Sequence, residues 1–438
     1  MKKYLTIVLL IILVKVGNSQ NFIWNLTSKV DHSTFCHYIG QINGNHFLVV
    51  SKFTIKNDFP ENTKSGIQYT RNNLIQLLRF DEKFNLIDAK PLALSGKLDE
   101  LFKTFIVKDK MLFIYSGIVD EGTYKLFCDE VNSEGTLIGV KDIPGCSYSF
   151  PERELLVFGG TPMTFYDYNY KEVAKFSTSA TVSDLVETSN GDFIALLKDQ
   201  SVIRIDLKTK KSEVLKLDYK DLSIKNTKMK ISGDYLFAVS TYGHEGKWEF
   251  EHQGVVLKKI HLPTFKEEKG FESAFTSEIL LKITGKKKLD KIVGVEDLML
   301  KNIHLSEDGS VIAIIEPCDI TSSNEMSGNS SRTTYSSWYG DFILVKLDSE
   351  GKSEQKILSR YSSGMSMYEY LLSNASFYKD KHLYLLYNEG VAPYALHVVK
   401  MDINFNIISD TEIKTYKEHG LYFGVRNYSK VGENKYLV

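Results

Sequence analysis

Short apolar runs, each introduced by a turn rich in Gly, Asn and Asp, recur from one end of the chain to the other. Asn43-Gly44-Asn45 opens onto His46 to Val50, and Lys108-Asp109-Lys110 onto Met111 to Tyr115. Asn190-Gly191-Asp192 precedes Phe193 to Leu197, and Ser232-Gly233-Asp234 precedes Tyr235 to Val239. The pattern returns at Val311 to Ile315 and at His382 to Tyr387, with a degenerate copy at Leu155 to Phe158 and a last one at Tyr436 to Val438. Runs this short, bounded by turn residues and rich in β-branched and aromatic types, predict strands buried on both faces. Each copy except the last is followed by a strand, a tight turn and another strand. The turns match: Asp81 to Ile87 with Asp402 to Ile408, Asn132 to Gly135 with Asp348 to Gly351, and a looser Asp167 to Val173. Asp206 and His261 hold the equivalent place in the other two units. An Asp or Asn at the turn entry bonds its own backbone two residues on, so these carboxylates are structural, not catalytic.

Each unit thus supplies a first strand, a buried second strand and a hairpin of third and fourth strands. Four antiparallel strands per unit, repeated along the chain, predict an all-β fold, a β-propeller of four-stranded blades. Seven hairpins favour seven blades, with six or eight as alternatives. Leftover strands near Asn21 to Leu26 and Leu421 to Val438 are available to pair between the two ends. The last run stops in mid-strand, so a longer natural chain is an alternative. The structural rival is a β-sandwich or Ig-like array, whose units run to about 100 residues.

The unit resembles the blade of generic bacterial secreted propellers, of the WD40-like and six-bladed classes. Tyr339 to Asp348 with Gly351 carries the resemblance best, and Leu155 to Gly160 with Tyr166 is similar to a Kelch repeat. The other units lack the Gly pair, and the Trp-Asp blade endings of WD40 repeats are missing. The resemblance implies a fold and no activity.

Ahead of the repeats, Lys2 and Lys3 precede an apolar stretch from Leu5 to Val14, with small residues at Gly17 and Ser19. That reads as a secretory signal peptide over 1–19, leaving one propeller domain over 20–438. Lys15 cuts the run below the roughly 18 residues a membrane span needs. No cysteine lies near the cleavage site, so the expected location is secreted or periplasmic, without a lipid anchor or membrane span. Net charge is −1, from 54 Lys+Arg against 55 Asp+Glu, and no basic stripe suggests nucleic acid. The densest basic stretch, Lys282, Lys286 to Lys288 and Lys291, reads as a solvated face. Cys36, Cys128, Cys146 and Cys318 allow two disulfides in three pairings or remain as buried thiols. The Asn-x-Ser/Thr triplets at Asn25, Asn329, Asn374 and Asn427 matter only for a eukaryotic source.

No Gly-x-Ser-x-Gly elbow, His-Glu-x-x-His, phosphate loop or dinucleotide fingerprint occurs; His244-Glu245 finds its next histidine only at His252. No catalytic, cofactor or metal residue is assigned. The directional feature is insertion length. The first, fifth and sixth units carry long connections between second and third strands: Phe53 to Asn73, Tyr242 to Gln253 and Asp319 to Tyr339. They contain Tyr69, Arg71, His244, Trp248, Arg332, Tyr335, Trp338 and Tyr339, residue types enriched where proteins recognise partners. The Ser-rich part, Thr321 to Ser331, reads as a mobile loop. The expected function is a non-enzymatic binding protein that holds a protein or glycan on one propeller face. An extracellular hydrolase or lyase with a central site is one alternative, and a structural part of an envelope assembly is another.

Overall fold

The computed structural model describes residues 6–15, 21–31, 34–52, 54–56, 68–70, 75–83, 85–120, 123–244, 251–268, 270–288, 294–327, 330–360, 362–365, 374–389, 395–413, 429–432 and 435–437. Seven antiparallel sheets follow one another through them, and an eighth draws strands from both chain ends. Each of the seven is built on a four-strand meander, the blade unit of a β-propeller. The chain falls into two compact units, Met1–Thr181 with Asn427–Val438, and Val182–His419.

In the first unit, the first sheet runs Thr34–Ile42, Asn45–Lys52, Ile75–Phe80, Leu86–Pro91. The second runs Lys97–Val107, Lys110–Asp120, Thr123–Asn132, Leu137–Val140, and the third Tyr148–Phe150, Leu155–Phe158, Met163–Asp167, Glu172–Phe176. Consecutive sheets bury their faces on each other: Phe47, Val49 and Leu77 pack with Met111, Phe113 and Tyr115, and Leu112 and Cys128 with Leu156 and Tyr168. The end sheet has the order Asn21–Asp31, Thr6–Lys15, Lys435–Leu437, Ser429–Gly432. Both chain ends share a sheet, but the C-terminal Lys435–Leu437 pairs with Thr6–Lys15 and not with Asn21–Asp31, the leftover strand expected to meet it. The apolar stretch read as a signal peptide forms one of its inner strands.

In the second unit, the fourth sheet runs Val182–Glu187, Phe193–Leu197, Ser201–Asp206, Lys211–Lys216. The fifth has Leu222–Ser232, Tyr235–His244 and Gly254–His261, edged by Lys266–Glu267 and Phe271–Ala274. The sixth has Leu298–Leu305, Val311–Ser327, Phe342–Leu347, Ser353–Leu358, and the seventh Asn374–Lys379, His382–Glu389, Ala395–Met401, Ile407–Ile413. Burial follows strand position. Phe193–Leu197 is buried throughout, whereas Lys211–Lys216 is almost wholly exposed. That gradient is why second strands read as continuous apolar runs and fourth strands carry Lys and Glu, which blunt an open edge. Fifth and sixth sheets share a core of Val239, Val255, Leu257, Ala313, Ile315 and Val345, and sixth and seventh share Ile314, Leu344, Leu385 and Val399.

The turns between third and fourth strands behave as their chemistry dictates. Asp81 Oδ1 accepts from the Lys83 and Asn85 amides at 2.8 Å each, and Asp402 repeats this with Asn404 and Asn406. Asp167, Asn132 and Asp348 do the same for residues two and four ahead. Three residues after the cap the backbone turns left-handed: Gly135 (φ 80°), Gly351 (φ 87°), Tyr170 (φ 65°) and Phe405 (φ 59°). Glycine takes that conformation freely, while at Phe405 the strain is offset by complete burial of the ring. These hydrogen bonds hold the Asp81 and Asp402 carboxyls below the usual range.

One element has no counterpart in the sequence reading, the helix Ser277–Thr284 between fifth and sixth sheets. Thr276 caps it by accepting from the Ile279 amide at 3.3 Å, Gly285 ends it at φ 66°, and Ile279 is its buried anchor. Lys282 and Lys286 to Lys288 are exposed, as a solvated basic face requires, and Lys291 lies outside the described residues.

Candidate functional site

The two ends of each sheet differ in kind. Turns joining first to second and third to fourth strands lie at one end, and connections from second to third strands lie at the other. That second end is short in the third and fourth sheets and elaborated in the first, fifth and sixth.

In the first sheet the connection forms a small ladder, Thr54–Lys56 against Gln68–Thr70, with Tyr69 opposite Ile55. Arg71 lies outside the described residues. In the fifth sheet the second strand ends at His244, opposite Leu222, and Trp248 lies outside the described residues. The connection returns through Glu251–His252, which pairs with Val295–Glu296 ahead of the sixth sheet. His252 is buried with Nδ1 3.0 Å from Thr241 Oγ1, and burial lowers its pKa to about 4.

The sixth sheet departs most from the sequence reading. In the segment from Thr321 to Ser331, expected as a mobile loop, Thr321 to Ser327 and Ser330 to Ser331 belong to two strands of one antiparallel ladder. Cys318 stands opposite Tyr339, Asp319 opposite Trp338, Ser322 opposite Tyr335 and Glu325 opposite Arg332, without a register shift. Ser362–Met365 pairs with Ser336–Tyr339 to widen the base. The structure thus places Arg332, Tyr335, Trp338 and Tyr339 on one strand. Tyr339 is 1% exposed, so its ring belongs to the hairpin root.

At that root lies a buried charge cluster that sequence reasoning missed. Glu316 and Arg360 are 0% and 3% exposed, and Arg360 Nη1 donates to Glu316 Oε1 at 2.6 Å. Asn374 Nδ2 donates to Glu316 Oε2 at 3.1 Å, which engages the amide of that glycosylation triplet, and Lys301 Nζ is 3.4 Å from the same oxygen. The Arg360 amide donates to Asp341 Oδ1 at 2.7 Å. The guanidinium is walled by the rings of Phe342, Tyr387 and Tyr339, at 4.8, 5.6 and 5.8 Å. Burial pushes its pKa down, opposed by Glu316. Its Nε and Nη2 have no hydrogen-bond partner among the described residues, so ring faces carry part of the load. The one sequence signal was a carboxylate closing the apolar run Val311 to Ile315. A fixed, buried ion pair of this kind specifies geometry and does no chemistry by itself.

The side of the root toward Asp297 is acidic among the described residues. Glu251 stands opposite Glu296, Asp297 follows, and the Asp297 carbonyl accepts from the Cys318 amide at 2.7 Å, next to Asp319. Burial together with Asp319 and Glu296 raises the Asp297 pKa; burial and Glu296 raise that of Glu251, against the pull of Lys286.

In the first unit a second buried carboxylate, Asp129, accepts from the Ser95 amide (2.7 Å), Ser95 Oγ (2.6 Å) and Tyr115 Oη (2.7 Å). It ties the chain entering the second sheet to that sheet's centre. Cys128 and Cys146 are buried free thiols, Cys318 is buried, and the side chain of Cys36 is outside the described residues.

No helix among the described residues is long and apolar enough to cross a membrane. No family model matches this chain, and no curated protein does. Solved structures resemble it at low identity. The dihydro-heme d1 dehydrogenase NirN in complex with DHE is 9% identical, covering 90% of this chain and 75% of that one with a TM-score of 0.39. The WD40 domain of SCAP from fission yeast is 10% identical, covering 92% and 97% with a TM-score of 0.38. BamB from Moraxella catarrhalis is 10% identical, covering 72% and 91% with a TM-score of 0.33. The fold assignment rests on the blade sheets themselves: this chain is an all-β protein of propeller blades.

Proposed function

We propose that this chain is an exported, non-enzymatic binding protein, one propeller domain over 20–438, that holds a protein or glycan with its long second-to-third-strand connections. One observation carries the reading. The sixth sheet's long connection is a regular hairpin, and its root is locked by a fully buried Glu316–Arg360 pair. A buried anchor of this kind supports a connection held in one geometry for recognition. The hairpin bears Arg332, Tyr335 and Trp338, and the neighbouring insertion bears Trp248. The test is ligand capture on glycan and envelope-protein arrays. Trp248→Ala or Trp338→Ala weakens capture with an unchanged melting temperature; equal loss of stability would show that these rings are core. Export is checked separately by sequencing the N-terminus of the protein recovered outside the cytoplasm. Cleavage after Ser19 starts the chain at Gln20, and recovery of intact Met1 refutes the signal peptide.

A further inference from the structure

We propose that the hairpin strand from Asp319 to Met326 takes up an extended, basic segment of a partner protein as an added β-strand. This rests on the binding reading above and names the partner's chemistry. The strand Val311–Ser327 has two parts. Val311 to Pro317 is paired on one side with Leu298–Leu305, and Val311 to Ile315 on the other with Phe342–Leu347. From Asp319 to Ser327 it pairs with the return strand alone among the described residues. The cause is local. Asp297 is left-handed (φ 52°) and swings the preceding residues away, so that Val295 and Glu296 pair with His252 and Glu251 instead. The Cys318-to-Asp297 bond is the last on that side among the described residues.

That bond also fixes which groups face outward. The Cys318 amide points to the open side, and backbone direction alternates along a strand. The N–H and C=O of Ile320, Ser322, Asn324 and Met326 therefore line the open edge, while those of Thr321, Ser323 and Glu325 serve the hairpin ladder. Natural edges are blunted by Pro, Lys or bulges. Asp319 to Ser327 contains no Pro, Lys or Arg, and its ladder has no register shift. Its charges are the acidic Asp319 and Glu325, and an edge free of Pro and bulges is what strand addition uses.

Charge selects the occupant. The edge begins beside Glu251, Glu296, Asp297 and Asp319, with Lys286 the cation acting on Glu251. A second copy of the strand would bring Asp319 and Glu325 and no cation.

The experiment uses the full chain and fluorescent synthetic peptides of alternating Thr and Val, carrying two Lys at either end. Anisotropy is expected to show binding of one Lys-ended peptide, weakened at least tenfold by N-methylation of alternate peptide amides. Ser322→Pro removes an outward N–H and spares the ladder, so it is expected to weaken binding at least tenfold with an unchanged melting temperature. Asp319→Asn with Glu296→Gln is expected to weaken it roughly threefold to tenfold, and Glu-ended peptides to bind less well than Lys-ended ones. Binding that ignores N-methylation overturns strand addition even if Ser322→Pro fails to fold. Equal binding of Lys and Glu peptides overturns the basic partner. Self-association abolished by Ser322→Pro assigns the edge to a second copy and likewise overturns it. No peptide binding while Trp338→Ala still loses array capture overturns the edge proposal alone; absence of both effects overturns the binding reading as well.

Discussion

Replacing Glu316 by Ala tests the root of the hairpin directly. Arg360 loses the carboxylate 2.6 Å from Nη1, and Nε and Nη2 already lack partners among the described residues. A buried lysine would shed its proton; a guanidinium retains it, so the charge stays or the root opens. Lys301 is 14% exposed against 0% for Arg360, and Asn374 loses only a neutral amide bond, so most of the penalty falls on Arg360. Rings at 4.8 to 5.8 Å offset part of it, at about 0.5–2 kcal/mol each. Breaking one partner out of a buried pair costs about 3–5 kcal/mol, roughly a hundred- to several-thousand-fold in the folded-to-unfolded ratio. For a unit of 150–250 residues that is a fall of roughly 6–20 °C in melting temperature. Urea unfolding followed by circular dichroism measures it, and hydrogen exchange at Ser336 to Tyr339 reports whether the root opens first. The double variant Glu316→Leu, Arg360→Met removes both charges and keeps the volume, so it should recover most of the loss. A single-variant loss under about 1 kcal/mol, or a double variant as unstable as the single, would refute the buried-pair reasoning.

Three further outcomes follow from the same kind of accounting. Asp129→Ala strands the Ser95 amide, Ser95 Oγ and Tyr115 Oη, and should cost about 3 kcal/mol against about 1 for Tyr115→Phe; a reversed order in urea midpoints refutes the network. His304 is buried against Ser376 Oγ at 2.9 Å, and burial with nearby Lys230 lowers its pKa to about 3. The unfolded chain therefore takes up a proton that the native state refuses, so this contribution is complete above pH 6.5 and drains as pH falls toward 3. Between pH 7 and 5 the stability gap between wild type and His304→Gln should narrow by about 2 kcal/mol, and a constant gap refutes a neutral buried ring. Burial raises the Cys128 thiol to about 11, and burial with Cys128 raises Cys146 to about 12. Neither should label with maleimide at pH 8 until the chain unfolds; rapid native labelling, or a disulfide found by mass spectrometry, refutes this.

Much of the fold was legible because position within each sheet writes itself into composition. Phe193 to Leu197 is buried on both faces, so it reads as an unbroken apolar run, and its start is marked by Asn190 and Gly191. The carboxylate caps were legible for the same reason: Asp81 and Asp402 act on backbone two and four residues ahead. What escaped depends on distance in sequence. Arg360 and Glu316 are 44 residues apart, and Ser95 and Asp129 are 34 apart. Composition cannot mark a partner that a fold must first bring near. The Ser-rich hairpin escaped because its polar pattern resembles a loop, and its ladder is backbone-made. Of the eight proposed recognition residues, four fall on one strand, and Tyr339 among them is core.

The unequal ends of the sheets explain where variation is tolerated. At one end, the turn into the fourth strand is closed by side-chain caps and left-handed residues, and Tyr170, Phe265 and Phe405 turn there with φ of 65°, 48° and 59°. Phe405 and Phe265 are buried in the cores that join neighbouring sheets, so a longer turn would pull a ring out of the packing. At about 1.5–3 kcal/mol for each large apolar side chain, that end resists insertion. Connections at the opposite end vary in length: Lys198 to Gln200 closes the fourth sheet's in three residues, with Gln200 left-handed at φ 68° and Asp199 Oδ1 accepting from the Ser201 amide at 3.0 Å, while the sixth sheet extends through Ser327 and returns to Tyr339. Length there is limited by whether the inserted backbone can satisfy its own hydrogen bonds, and a hairpin does so with the fewest demands on its side chains. From Asp319 to Ser327 the strand has no second pairing partner among the described residues, and the Glu316–Arg360 pair anchors its root.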